Sequence, residues 1–403
     1  MNRPRALLLL CLSLGCAGDK SPRPGASDDS ATPITPTRVF VDAVWSLTPE
    51  STRSPQHHVT LASGAGQLAA TWDEETLPPG GYLRLFTPDG APATELQRFT
   101  RCPEDVPCRP DVVATADGYW VGWADDAGVH AARFDTALNR IGDTTTLQAT
   151  PDGQRLEAPD LAPAPDGGVI AVWFSSDRLE GGETARYRLS RVRPDGSVSP
   201  WTELDVGLSG GSPPDVAPTV AGTAVTWVTR EPEGEAGVRS TVWLLELDTE
   251  QRELSRTEVW TSATVVTRPM VAADGDDRAV VWREDRPERV SWLRMLPSGV
   301  PPHPPTLLLD GTADKPVVEL MRGLAVVAFD VLPAPASGTV LLQPFDLASG
   351  TPLHDAVPVW GGGGSEQRPA LTTDGRSLWV GFREEPEGPA TPGNIRVAHA
   401  RVE

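Results

Sequence analysis

Residues 109–126 read RPDVVATADGYWVGWADD. The stretch is a polar residue and a Pro, a short apolar run, an Ala-Asp-Gly turn, a second apolar run closing on Trp123, and then acids. Two Val- and Trp-rich runs joined through Asp-Gly describe a β-hairpin. Degraded copies recur to the C-terminus. Aligned on the end of the second run, they place Trp72, Trp123, Trp173, Trp227, Trp282, Phe329 and Phe382 at intervals of 51, 50, 54, 55, 47 and 53 residues. A period near 50 with several short strands per unit marks a radial stack of equivalent sheets.

The copies agree piece by piece. The first strands are HHVTLA (57–62), RPDVVA (109–114), APDLAP (158–163), PPDVAP (213–218), RPMVAA (268–273), KPVVEL (315–320) and RPALTT (368–373). Pro has no ladder donor, so it belongs at a strand start or on an edge, and the innermost strand of a blade is an edge. The second strands, such as VIAVWF and AVVAF, are near-continuous apolar runs, as expected of strands buried on both faces. Third strands such as YLRLFTPDG (82–90) end in tight-turn chemistry, and a weaker fourth strand follows. The seventh copy stops at Glu403 after its third strand, while TRVFVDAVWSL (37–47) reads as a fourth strand without a blade. The expected fold is therefore all-β: a seven-bladed β-propeller of four-stranded blades, closed by an N-terminal strand that completes the last blade and covers an open edge. The expected blades are about 57–100, 109–150, 158–209, 213–262, 268–310, 315–361, and 368–403 plus 38–48.

Pro (41) and Gly (38) make up about a fifth of the 403 residues, here as punctuation between strands. The formal charge of −20 argues against nucleic acid, whose binding needs clustered Lys and Arg. It also argues against electrostatic docking on anionic lipid. Lys occurs at Lys20 and Lys315 alone, so nearly all positive charge is Arg, as base composition favouring Arg codons would produce.

The chain begins MNRPRALLLLCLSLGC, with Arg3 and Arg5, an apolar run from Ala6 to Leu14, and Gly15-Cys16. A charged start with a short apolar run is a secretory signal; the run falls short of the roughly 20 residues of a spanning helix. Its end resembles the lipobox of bacterial lipoproteins, with Ser13 where Leu is usual. The resemblance implies a signal peptide over 1–15 and lipid attachment at Cys16. With Ala17 rather than Asp next, it implies sorting to the outer membrane. Residues 16–37, rich in Pro, Ser, Asp and Thr, read as a disordered tether. The repeat domain 38–403 is similar to bacterial envelope lipoproteins expected to fold as propellers; it lacks the WD40, kelch and Asp-box marks. The remaining pair, Cys102 and Cys108, points to a disulfide in an exported domain, over free thiols or a metal site.

Candidate site residues fall in two groups. Acids follow the second strands: Glu74 and Glu75, Asp125 and Asp126, Arg283-Glu284-Asp285 and Arg383-Glu384. They are expected in loops on one face, either as a binding face, for which a divalent cation such as calcium is one candidate ligand, or as solvated loops with local ion pairs. Asp111, Asp160 and Asp215 follow Pro in three consecutive inner strands. They would project together near the channel mouth, as a ligand site or as caps on nearby backbone N–H groups. The six His, at 57, 58, 130, 303, 354 and 399, lie in no catalytic motif. No catalytic residue, metal ligand or resident cofactor is assigned. The expected function is a monomeric, lipid-anchored, non-catalytic scaffold that binds a protein or glycan of the cell envelope. The alternative is a glycan hydrolase or lyase using the channel mouth.

Overall fold

The computed structural model describes residues 38–47, 56–74, 79–102, 108–151, 154–179, 182–208, 212–233, 237–286, 289–309, 313–331, 339–360, 365–385 and 394–403. The expected signal, Cys16, the tether and Glu75 lie outside them. The described residues form seven antiparallel sheets and no helix, in a ring: a seven-bladed β-propeller. Each of the seven inner strands contacts the next, and the last contacts the first.

The closing strand is Val39–Ser46, paired with Asn394–Val402 from Val39↔Val402 to Ser46↔Arg396. Backbone bonds continue past both ends, Arg38 N–H to Glu403 O and back at 2.9 Å each, and Leu47 N–H to Ile395 O at 3.0 Å. Asp42 ties the two strands together, accepting from His399 Nδ1 and Arg401 Nε at 2.6 Å each. Val39 N–H donates to Nε2 of His354 in the preceding blade, whose Nδ1–H donates to Asp355 O. Ring closure thus joins both termini of the repeat domain through sheet and side chains.

The second strands carry the core. Trp72, Trp173, Trp227, Trp282, Phe329 and Phe382 are fully buried between blades, and Trp123 is nearly so. Each apolar cluster spans two neighbouring blades; Ala162, Tyr187, Val216 and Trp227, for example, pack together. A buried aromatic removes about 150–250 Å² from water, so these wedges dominate the cohesion of the ring. The Cys102–Cys108 disulfide lies in one such cluster, beside Phe99, Val112 and Trp123.

Two details depart from the sequence reading. In blade 3 the inner edge is two pieces, Gln154–Leu156 and Asp160–Pro163, both paired with Val169–Leu179. Pro159 stands between them without an N–H to continue the ladder. The blade therefore starts before residue 158. The second strands also run on past their aromatic wedges, as in Gln67–Glu74, Asp277–Asp285 and Ser377–Glu385. The acids expected in loops there are strand residues.

Candidate functional site

In each blade the start of the inner strand pairs with the end of the second strand, as in Val265↔Asp285 and Ala313↔Val331. Both ends meet at one mouth of the central channel. Four inner strands enter through a residue with left-handed backbone: His58 (φ 32°), Arg109 (φ 43°), Arg268 (φ 53°) and Lys315 (φ 48°). The ladder shifts register at three of these four points, between His57 and Val59, Thr267 and Met270, and Asp314 and Val317. Such a bulge turns a side chain out of the pleat, and here it carries His58, Arg268 and Lys315 to the mouth.

The acids after the wedges divide by position. Two residues beyond the wedge, the carboxylate faces the wedge side and accepts an indole N–H. Trp72 Nε1 donates to Glu74 at 3.0 Å, Trp123 Nε1 to Asp125 at 3.2 Å, Trp260 Nε1 to Glu284 at 2.6 Å and Trp360 Nε1 to Glu384 at 3.2 Å. A buried indole N–H needs such a partner. Asp125 also accepts from Ala127 and Gly128 N–H and bonds His130 Nε2 at 3.0 Å. Glu384 pairs with Arg396, and Glu284 with Arg286. Asp126 is exposed in the turn, and Arg383 is half-buried.

One residue beyond the wedge, the side chain faces the next blade's entry. Asp73 is buried there, accepts Arg109 N–H at 3.3 Å and lies 3.8 Å from His58 Nδ1. Arg109 pairs with Glu157 at 2.7 Å. Asp330 is fully buried and pairs with Lys315 at 3.0 Å. Arg283 holds Asp285 at 2.8 Å on one side and buried Asp314 on the other. Asp314 also meets Arg289 at 3.3 Å and Lys315 at 3.8 Å. Its carboxyl is held below the usual range: burial alone would raise it, but the Arg283 bond and the charges of Arg283, Lys315 and Arg268 outweigh that. Arg230 is buried, donates to Val266 O at 2.9 Å, and has no hydrogen-bond partner for Nε among the described residues. Burial lowers its pKa; the nearby Tyr187 and Asp285 act the other way.

Below the mouth lies a carboxyl ring. Asp111, Asp160 and Asp215 pair with Gly122, Val172 and Thr226, each just before its wedge. The same register holds Thr60, Met270, Val317 and Ala370 in the other blades. The three Asp therefore form one arc at one depth. Asp111 and Asp215 each feel the N–H of the residue that follows, Val112 and Val216, and each also accepts one from the next blade. Leu161 N–H of blade 3 donates to Asp111 Oδ2 at 2.7 Å, and Val271 N–H of blade 5 to Asp215 Oδ2 at 2.6 Å. Each fastens its blade to an unpaired donor on the next blade's edge. Glu319 of blade 6 faces the same space and feels the charge of Asp215.

All four carboxyls keep partial solvent contact while walled by protein, as expected of groups facing a narrow channel. Burial pushes Asp111 up to about 7 against the pull of the Leu161 and Val112 N–H groups and the Thr60 hydroxyl. Asp215 is also pushed up to about 7, by burial and by Asp111, against its Val271 bond. Asp160 is raised well above its ordinary value by burial, then by Asp215 and Asp111. Glu319 is raised to about 8 by burial and then by Asp215. Among the described residues, no basic side chain is a leading cause of any of the four shifts. Among the described residues no three His, Cys, Asp or Glu stand close enough to hold a metal ion.

Glu319 is not among the acids singled out from the sequence, although its position carries a signal. The aligned positions in the other inner strands are Ala62, Val113, Ala162, Ala217, Ala272 and Thr372, so an acid there is out of pattern. In sequence the basic residues before Pro at 109, 268 and 315 mark only strand starts.

No known protein-family profile matches the sequence, and no curated protein matches it. Solved structures do match in fold. A puromycin-hydrolysing peptidase from Mycobacterium tuberculosis aligns with TM-score 0.52 and 17% identity over 86% of this chain and 51% of that one. The polysaccharide lyase Uly1 aligns with TM-score 0.50 and 10% identity over 86% of this chain and 90% of that one. The β-propeller domain of the Trilobed protease from Pyrococcus furiosus aligns with TM-score 0.50 and 10% identity over 86% and 96%. At such identities the likeness is one of fold, and propellers that share it carry unlike activities.

Proposed function

We propose that this protein is a lipid-anchored propeller of the outer envelope that works as a non-catalytic binding scaffold, taking a protein or glycan at its channel mouth. The observation that supports this most is how the mouth's charges are arranged. Glu74, Asp125, Glu284 and Glu384 are committed to indole N–H groups, and Arg109, Arg283 and Lys315 to carboxylates. Such a surface is rigid, polar and preformed, which suits recognition more than proton transfer. The anchor and the outer-membrane address come from the lipobox-like start of the chain. The test is crosslinking in intact envelopes, comparing the natural chain with one carrying Arg268→Gln and Arg289→Gln. A partner captured by the first and lost with the second is expected; identical capture from both would reject the mouth as the binding face.

One observation favours a second reading, a glycan hydrolase or lyase. Burial raises the channel carboxyls toward neutral pH, Asp111 to about 7 and Glu319 to about 8, the direction in which a general acid is tuned. A polysaccharide lyase also shares the fold. Incubation with a panel of polysaccharides decides it. Turnover that disappears in Asp160→Asn would replace the scaffold reading.

A further inference from the structure

Trp201 stands outside the repeat pattern. Of the thirteen Trp in the chain it alone is exposed, at 46%; the rest are buried or half-buried. It comes just before Thr202–Leu208, the fourth strand of blade 3. The fourth strands of blades 1, 3 and 4 share Thr-Glu and an aliphatic residue, at Thr94-Glu95-Leu96, Thr202-Glu203-Leu204 and Thr257-Glu258-Val259. Ahead of these, blades 1 and 4 have Ala93 and Arg256, so the blade does not require an aromatic ring there.

The exposed indole is nonetheless held. The Arg188 guanidinium lies against one face of the ring, 4.6 Å from its centroid. Arg188 is itself buried, and its Nη1 donates to Gln148 Oε1 of blade 2 at 2.6 Å and to Ser175 Oγ at 2.9 Å. Side chains alternate along a strand, so Glu203 projects on the same side as Trp201. Arg188 pairs in register with Glu203, and Arg186 Nη1 donates to the Glu203 carboxylate at 3.0 Å. Arg186 and Glu203 keep 36% and 33% of their side chains in water. The indole thus has one face on a fixed guanidinium and the other open, bordered by a donor and an acceptor that hold each other in place. This seam between blades 2 and 3 lies at the outer edge of the sheet, across from the inner strands that form the mouth.

We propose that this outer seam binds a pyranose ring of a glycan. A pyranose presents an apolar C–H face and a rim of hydroxyls. The indole takes the face by stacking, and Arg186 and Glu203 take the rim as donor and acceptor. A lone cation or anion would satisfy one member of that pair and oppose the other; vicinal hydroxyls, each both donor and acceptor, match the two together. A Trp side chain has few rotors, and Arg188 already fixes this one, so little ordering cost remains to be met on binding. The seam adds a lateral site to the scaffold and makes no use of the mouth.

The test is fluorescence titration of the full chain, in a detergent without a sugar headgroup, with cellohexaose, maltohexaose and the hexamer of N-acetylglucosamine. As the one exposed Trp, Trp201 should carry most of the fluorescence that acrylamide quenches. Saturable binding of at least one saccharide is expected, with acrylamide quenching reduced at saturation. Trp201→Ala should weaken binding about tenfold or more, as loss of a central Trp anchor does. Trp201→Tyr keeps a stacking ring and should stay within about threefold of the natural chain. Glu203→Ala removes the acceptor and should cost about fivefold. Trp201→Ala uncovers Arg188, so its melting is read alongside; if it does not fold, shielding of Trp201 from acrylamide in the natural chain decides. No saturable binding of any of the three saccharides at millimolar concentration, binding that Trp201→Ala leaves unchanged, or quenching unaltered at saturation overturns the proposal. So does a protein captured in intact envelopes and lost with Trp201→Ala while no saccharide binds, since the seam is then a protein interface. None of these results bears on the mouth, which Arg268→Gln and Arg289→Gln test separately.

Discussion

Glu319→Gln should make the propeller more stable in alkali and leave it nearly unchanged in acid. The glutamate's pKa rises from 4.5 to about 8 on folding, so the folded chain binds more protons than the unfolded one between those values. Its share of stability is complete below pH 4.5 and is lost as pH rises through about 8. A shift of 3.5 units corresponds to about 5 kcal/mol at most, at 1.36 kcal/mol per unit. Partial contact with channel water and shared repulsion with Asp215 reduce this, leaving about 2–4 kcal/mol. Glutamine keeps the shape and cannot ionise. Urea unfolding of both proteins at pH 5, 7 and 9 reads the difference. The two curves should nearly coincide at pH 5 and separate by about 2–4 kcal/mol at pH 9, the variant being the more stable. An equal gap at pH 5 and pH 9, or a variant weaker at pH 9, would refute the account of the channel as an uncompensated carboxyl ring.

Asp111 and Asp215 shift in the same direction, so the natural chain should lose stability steadily between pH 4 and 8, seen as a falling melting temperature; a rise over that range contradicts the assignment. Asp314→Ala should cost about 3 kcal/mol in denaturant unfolding at pH 7, because it removes the buried carboxylate shared by Arg283, Arg289 and Lys315 and leaves the largely buried Arg283 with Asp285 alone. That contribution has the opposite pH sense, present above the ordinary Asp range and lost as pH falls below it. Replacing Cys102 and Cys108 by Ser should lower stability by about 2 kcal/mol, the chain-entropy value for so short a loop, measured against the oxidised natural chain. If a divalent cation such as calcium is bound, a chelator should lower the melting temperature; unchanged melting removes the cation from consideration.

Much of the architecture was legible because it rests on period and chain order. The wedges from Trp72 to Phe382 repeat at near-constant spacing, and the unpaired strand at 37–47 matches the strand missing after Glu403. The carboxyl arc was half-legible. Asp111, Asp160 and Asp215 stood out after their Pro residues, but their partners, Leu161 and Val271, lie 50 and 56 residues onward on the next blade. Read as loop acids, Glu74 and Glu284 proved to be strand residues whose oxygens satisfy indoles, because the second strands extend past the wedges.

The sequence by itself determined the number of blades, the strand order within them and the closing role of the N-terminal strand, since hydrophobic periodicity and turn chemistry are local. Only the tertiary structure decided which charges meet. Ring closure places Glu319 within reach of Asp215 and sets Arg283 of one blade against Asp314 of the next. Such encounters follow from the distance between blades in space and leave no periodic trace along the chain. The stretch 109–126 shows both sides: Trp123 and the Asp117-Gly118 turn announce the blade, whereas the bond from Leu161 to Asp111 exists only because a second blade stands beside it.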